Sequence, residues 1–300
     1  MKASFTWFPL SCLALTSCVN LQSVQLFGTA SAVSLQQYTA VPATFTGFYR
    51  QRVRDDSLSR HPFGRIPLIG IDFSDRVRQD SLRSYLLADS LTKAGTQLLT
   101  AYFNALANLA VTGKAFVPVR LASPTVERFL QTPAVKLTPE QSASFIRMAN
   151  LLGSIGTGAY RRRRLSLLLT QSHDDVHQVL GALAFAYERL AAVVDISRDQ
   201  QYGYYKNLLI QDPTLTYTQK QDLARQWIQT SQTIEQTRQA VLTHVTTIRT
   251  VQSGYDTLYS QRNALNRKTV MTAVQTYATT LQQIRSDLDQ LNAVYGRLHP

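Results

Sequence analysis

His173 and His177 stand four residues apart in His173-Asp174-Asp175-Val176-His177. On a helix this spacing sets two imidazoles one above the other on one face, as a divalent metal requires. A zinc hydrolase would want a glutamate as general base beside the first histidine. Asp174 occupies that position, and no third ligand is recognisable in the sequence. Both histidines also flank the apolar heptad seam, so the pair is expected on a solvated helix flank, with His173 and His177 only weak metal candidates.

A second cluster is Arg161-Arg162-Arg163-Arg164, directly after the small and apolar stretch from Leu151 to Ala159. Two readings stay open. The segment is a tight turn followed by a solvated basic face, or an apolar Gly-rich tip (151–159) that inserts into a membrane or clamps an acidic partner. Tyr202, Tyr204, Tyr205 and Lys206 form an aromatic cluster that is expected to cap the core at a helix end. Nucleophilic catalysis finds no G-x-S-x-G motif, and Gly153-Ser154-Ile155-Gly156 lacks the lysine of a phosphate loop. The protein is therefore expected not to be an enzyme.

The elements that must position these groups are helices. Leu165, Leu169, Ser172, Val176, Val179, Leu183, Ala186, Leu190 and Val193 alternate by four and three. So do Trp227, Ser231, Ile234, Arg238, Val241, Val245, Ile248, Gln252, Tyr255 and Tyr259, and again Val270 through Val274, Tyr277, Leu281, Ile284, Leu288, Leu291, Tyr295 and Leu298. Such seams belong to coiled-coil-like helices, and the expected fold is all-α, an elongated antiparallel helical bundle in one domain over 18–300.

Boundary signals subdivide it. Thr138-Pro139-Glu140-Gln141 and Thr218-Gln219-Lys220-Gln221 read as capping boxes. The longest helix is expected from about Gly158 to Ile210, closed by Asp212-Pro213, and a turn from Asn263 to Lys268. A first helix over Leu21 to Arg54 should kink at Pro42. A helix is expected from about Asp75 to Val111, a loop from His61 to Gly70, and a short helix at Ser123-Pro124 after a break from Thr112 to Val119.

The N-terminus adds a different chemistry. Residues 1–17 run from Lys2 into Phe5, Trp7, Phe8, Leu10, Leu13, Ala14 and Leu15, the layout of a secretory signal too short to span a bilayer. Leu15-Thr16-Ser17-Cys18 resembles the lipobox of bacterial lipoproteins. The resemblance implies a covalent diacylglycerol and N-acyl lipid at Cys18, which becomes the first mature residue, and no other cofactor. Cys12 would be removed, leaving Cys18 as the one cysteine, so neither a disulfide nor a cysteine-built metal site is expected. Val19-Asn20 lacks the second-position aspartate that retains lipoproteins at the inner membrane of enteric bacteria. By the same resemblance the expected location is the outer membrane, facing the periplasm.

The formal charge of +12 falls to +11 without Lys2. In the cytosol such a chain would be a nucleic-acid candidate. Export redirects it to anionic lipid, lipopolysaccharide or an envelope protein, with no nucleic acid among its partners. Together with the lipobox, Tyr160 to Ser166, Tyr202-Gly203-Tyr204-Tyr205-Lys206 and Leu258 to Asn263 are similar to a group of helical lipoproteins from Bacteroidota with no assigned activity. The leading expectation is a lipid-anchored binding or scaffold protein of the envelope. The alternative is a membrane-active helical protein of the pore-forming kind, inserting 151–159.

Overall fold

The computed structural model describes residues 21–37, 43–59, 76–111, 138–154, 161–265 and 268–298, which form seven α-helices and no strand. They are α1 (Gln22–Gln37), α2 (Phe45–Ser59), α3 (Arg76–Ala110), α4 (Pro139–Ser154), α5 (Arg161–Gln211), α6 (Tyr217–Ser260) and α7 (Lys268–Leu298). The all-α bundle expected from periodicity is what forms. The proposed loop at 61–70 and short helix at 123–124 lie outside the described residues, as does Cys18.

Local chemistry sets several of the helix ends. Thr138 caps α4 reciprocally with Gln141, each backbone N–H donating to the other's side chain at 3.0 and 3.2 Å. The box of α6 sits two residues earlier than expected. Thr216, not Thr218, is the cap, and its N–H donates to Gln219 Oε1 at 2.9 Å. Both threonines precede a glutamine by three residues; the earlier pair wins, and Gln221 instead donates to the Tyr217 hydroxyl at 3.0 Å.

The single kinked helix expected across Pro42 is two helices. Thr44 accepts from Gly47 N at 3.0 Å, and Asp89 of α3 caps α2 from outside, accepting from Phe45 N at 2.7 Å and Thr46 N at 3.0 Å. Asp212 opens the short turn from α5 to α6 by accepting from Thr214 N at 2.9 Å.

α5 is the axle. It packs against α2, α3, α4 and α6, while α1 lies against α3, α6 and α7. Cross-helix pairs fix directions. His173 meets Asp256, Glu188 meets Arg249, Asp195 meets Arg238, and Tyr202 meets Trp227, so α5 and α6 are antiparallel. α1 and α7 instead run the same way, since Phe27 and Tyr277 both meet Gly254 while Gln37 donates to Asp289 at 2.5 Å. The bundle is thus not antiparallel throughout. α5 alone spans about 76 Å at 1.5 Å per residue.

The seam of α5 is buried from Leu165 to Leu190, but Leu168, Leu180, Ala184, Tyr187, Ala191 and Val194 are buried too. A helix with neighbours on several sides buries more than an a/d stripe. At its centre, Phe27 meets Phe103 edge-on at 5.9 Å, and Phe103 meets Tyr255 at 6.0 Å. Three hydroxyls close a triangle inside this apolar cluster. Tyr102 Oη lies 2.7 Å from Ser172 Oγ and 2.9 Å from Tyr255 Oη, and Ser172 lies 3.0 Å from Tyr255. Ser172 also donates to the Leu168 carbonyl at 2.6 Å, leaving the phenol protons to fill the triangle. Burial pushes the Tyr102 hydroxyl up to about 12 and that of Tyr255 well above its ordinary value, so both stay neutral donors. The triangle ties α3, α5 and α6 to one register, because a slip would strand buried hydroxyls.

Candidate functional site

The histidine pair occupies the α5–α6 groove. The i, i+4 spacing puts both rings on one face of α5, with centroids 6.0 Å apart. α6 brings Asp256 between them. Its Oδ1 lies 3.1 Å from His173 Nε2 and 3.3 Å from His177 Nδ1. One ligand atom from each of the three residues falls within 4.8 Å of the others. The side chains of His173, His177 and Asp256 are 21%, 46% and 41% exposed, so the cluster is open to solvent on the flank, where the heptad placed it.

Neighbours orient each ring. His173 Nδ1 lies 2.9 Å from Asp174 Oδ1, so both of its nitrogens face carboxylate oxygens. Its ring stacks on Tyr259 at 3.7 Å with an interplanar angle of 21°, and Arg262 packs on the same tyrosine at 4.3 Å. His177 Nε2 lies 3.0 Å from the Gln252 side-chain amide. Asp175 takes no part. It is buried and turned to α4, where Arg147 donates to it through Nε at 2.9 and 3.1 Å and Nη2 at 2.5 Å. The two acids of the His-Asp-Asp-Val-His string thus do different work.

The other sequence candidates fall at the two ends of α5. Arg161, Arg162, Arg163 and Arg164 form its first turn, although their side chains lie outside the described part. Of the suggested inserting tip, Leu151 to Ser154 complete α4 and 155–159 lie outside the described residues. Tyr202, Tyr204 and Tyr205 do not cap the core. Tyr202 and Tyr205 pack on Trp227 of α6, both at 5.6 Å, and Tyr202 is 51% exposed. Ile210, Tyr217 and Ile228 are exposed around them, so the far end of the α5–α6 hairpin presents an apolar surface.

Two features escape sequence reading. Asp256 lies 79 residues from His177, and only the hairpin register brings them together. His244 is fully buried edge-on against Tyr187 at 4.6 Å, where burial lowers its pKa to about 3 and keeps the ring neutral. No helix among the described residues is long and apolar enough to cross a membrane. No protein-family model, no curated protein and no solved structure matches the chain.

Proposed function

We propose that this protein is a lipid-anchored helical bundle of the bacterial cell envelope, a non-enzymatic binding or scaffold protein held to a membrane through Cys18. The carrying observation is Leu15-Thr16-Ser17-Cys18, followed at once by folded chain. Leu21 is already buried and α1 opens at Gln22. Three residues reach at most about 10 Å, so a lipid on Cys18 keeps the start of α1 at the headgroups.

Helix directions add support. α5 is antiparallel to α6 and α7 returns beside α6, so α1, α5 and α7 all start at one end of the bundle. Arg161 to Arg164, Arg262 and Lys268 share that end with Leu21. A cationic end beside a lipid anchor suits anionic headgroups, including those of lipopolysaccharide. The opposite end of the α5–α6 hairpin, with Tyr202, Tyr217 and Ile228 exposed, then points away from the membrane toward a protein partner.

Fractionation of cells carrying Cys18→Ser tests the anchor. The variant should leave the membrane fraction while retaining its helical content, and a variant that stays on membranes overturns the reading. Changing Arg161 to Arg164 to glutamine should weaken binding to anionic vesicles and make the binding that remains less sensitive to salt. The membrane-active alternative calls for dye release from such vesicles, which the scaffold reading does not produce.

A further inference from the structure

We propose that His173, His177 and Asp256 form a binding site for a single divalent transition-metal ion of the zinc class. The cation would link α5 to α6 and keep one coordination position for water or a partner's donor. The inference stands apart from the lipid anchor and from the basic end, since it uses neither.

Geometry carries it. A tetrahedral ion with ligand bonds of 2.0–2.1 Å separates its ligand atoms by about 3.3 Å. Asp256 Oδ1 already lies 3.1 Å from His173 Nε2 and 3.3 Å from His177 Nδ1, and the third edge lies within 4.8 Å. A small rotation of the His177 ring closes that edge. The donor set of two imidazoles and one carboxylate is that of open zinc sites, and it is too nitrogen-rich for magnesium or calcium.

The surroundings are those a ligating histidine needs. With Nε2 of His173 on the metal, its Nδ1–H donates to Asp174 at 2.9 Å, the carboxylate–histidine–metal relay that fixes the tautomer. With Nδ1 of His177 on the metal, its Nε2 carries the proton and needs an acceptor. The Gln252 amide nitrogen lies 3.0 Å away and also donates to the His177 carbonyl at 3.4 Å; turning the amide gives up that longer bond and presents its carbonyl oxygen as the acceptor. Tyr259, stacked on His173 at 3.7 Å, holds that ring against rotation. Partial exposure of all three ligands lets the ion enter from solvent.

The test uses the full chain in detergent, without an affinity tag and stripped with chelator. Titration with zinc by calorimetry should show one saturable site per chain. Cobalt should give the visible absorption of a four-coordinate ion. His177→Ala and Asp256→Asn should each abolish both signals and the zinc-induced rise in Tm, while circular dichroism retains the helical spectrum. Asp174→Asn, which removes no ligand, should weaken zinc binding by about tenfold or more. His61→Gln should leave it unchanged. Absence of a stoichiometric site, or zinc binding that survives both His177→Ala and Asp256→Asn, overturns the proposal.

Discussion

Acid should loosen this bundle through one residue, His244. The ring is fully buried on α6, and burial lowers its pKa from 6.5 to about 3. The sign follows from proton counting. Between these two values the unfolded chain binds a proton that the folded chain refuses, so stability falls as pH drops below 6.5. Near pH 7.5 the effect is close to zero. At about pH 5 the unfolded state gains RT ln(1 + 10^1.5), about 2 kcal/mol, a large part of a typical stability of roughly 5–15 kcal/mol.

The comparison partner is His244→Phe, which cannot titrate and retains an aromatic ring against Tyr187. Packing changes shift its absolute stability by a pH-independent amount. Carboxylates elsewhere titrate alike in both proteins and cancel in the difference. Urea unfolding followed by circular dichroism, at several pH values and constant ionic strength, gives the two curves. Wild type should lose about 2 kcal/mol more than the variant between about pH 7.5 and pH 5. Curves parallel within about 0.5 kcal/mol would refute the reasoning, because a buried neutral ring could not then be what acid attacks.

Alkali should act through the tyrosines. The hydroxyls of Tyr102, Tyr187 and Tyr255 are all raised by burial, so their contribution is complete below pH 10 and is lost as pH rises above it, on the order of 1 kcal/mol for Tyr102 by about pH 11. Tyrosinate absorption at high pH should therefore show a late component that coincides with loss of helix; smooth titration of every tyrosine in a folded chain contradicts it. Gly28→Ala would put a methyl 2.8 Å from the Phe103 carbonyl oxygen, and the overpacking should outweigh the helix-propensity gain by about 1–2 kcal/mol. Gly203→Ala meets nothing within 4 Å and should instead stabilise by up to about 1 kcal/mol; a thermal melt in which Gly28→Ala is stabilised as well would show that α1 does not press on α3.

The heptad seams were legible because burial imposes a period, and every residue from Leu165 to Leu190 in the α5 seam is buried. Helix ends were legible where one local cap is on offer, as at Thr138; where two overlapped, at Thr216 and Thr218, the choice fell on the wrong one, and where the cap is remote the end was missed. Asp89, more than forty residues away, caps α2, and that contact makes two helices where one kinked helix was expected. Ser172 carried an unread signal. A hydroxyl at a seam position inside an apolar core needs a partner, and Tyr102 and Tyr255 supply it. Asp256 carried none, since it sits beside seam residue Tyr255 like any flank acid and gains meaning only opposite the two histidines.

The stretch Ser172 to Val176 shows how one helix can serve several purposes without a separate site domain. Successive side chains turn by about 100° around a helix, so four consecutive residues survey its whole circumference. Ser172 enters the hydroxyl triangle, His173 faces the α6 groove, Asp174 stays in solvent against His173, and Asp175 turns to Arg147 of α4. Val176 returns to the core beside Ser172. The sequence His-Asp-Asp-Val-His therefore reads as one motif along the chain but belongs to three different neighbourhoods in space. Only His173 and His177 share a face, and the residue that completes their chemistry comes from α6. Because the same triangle that buries Ser172 also buries Tyr255, the core fixes the register that sets Asp256, the next residue on α6, opposite the histidines. The geometry of the groove is thus a consequence of the hydroxyl network beneath it.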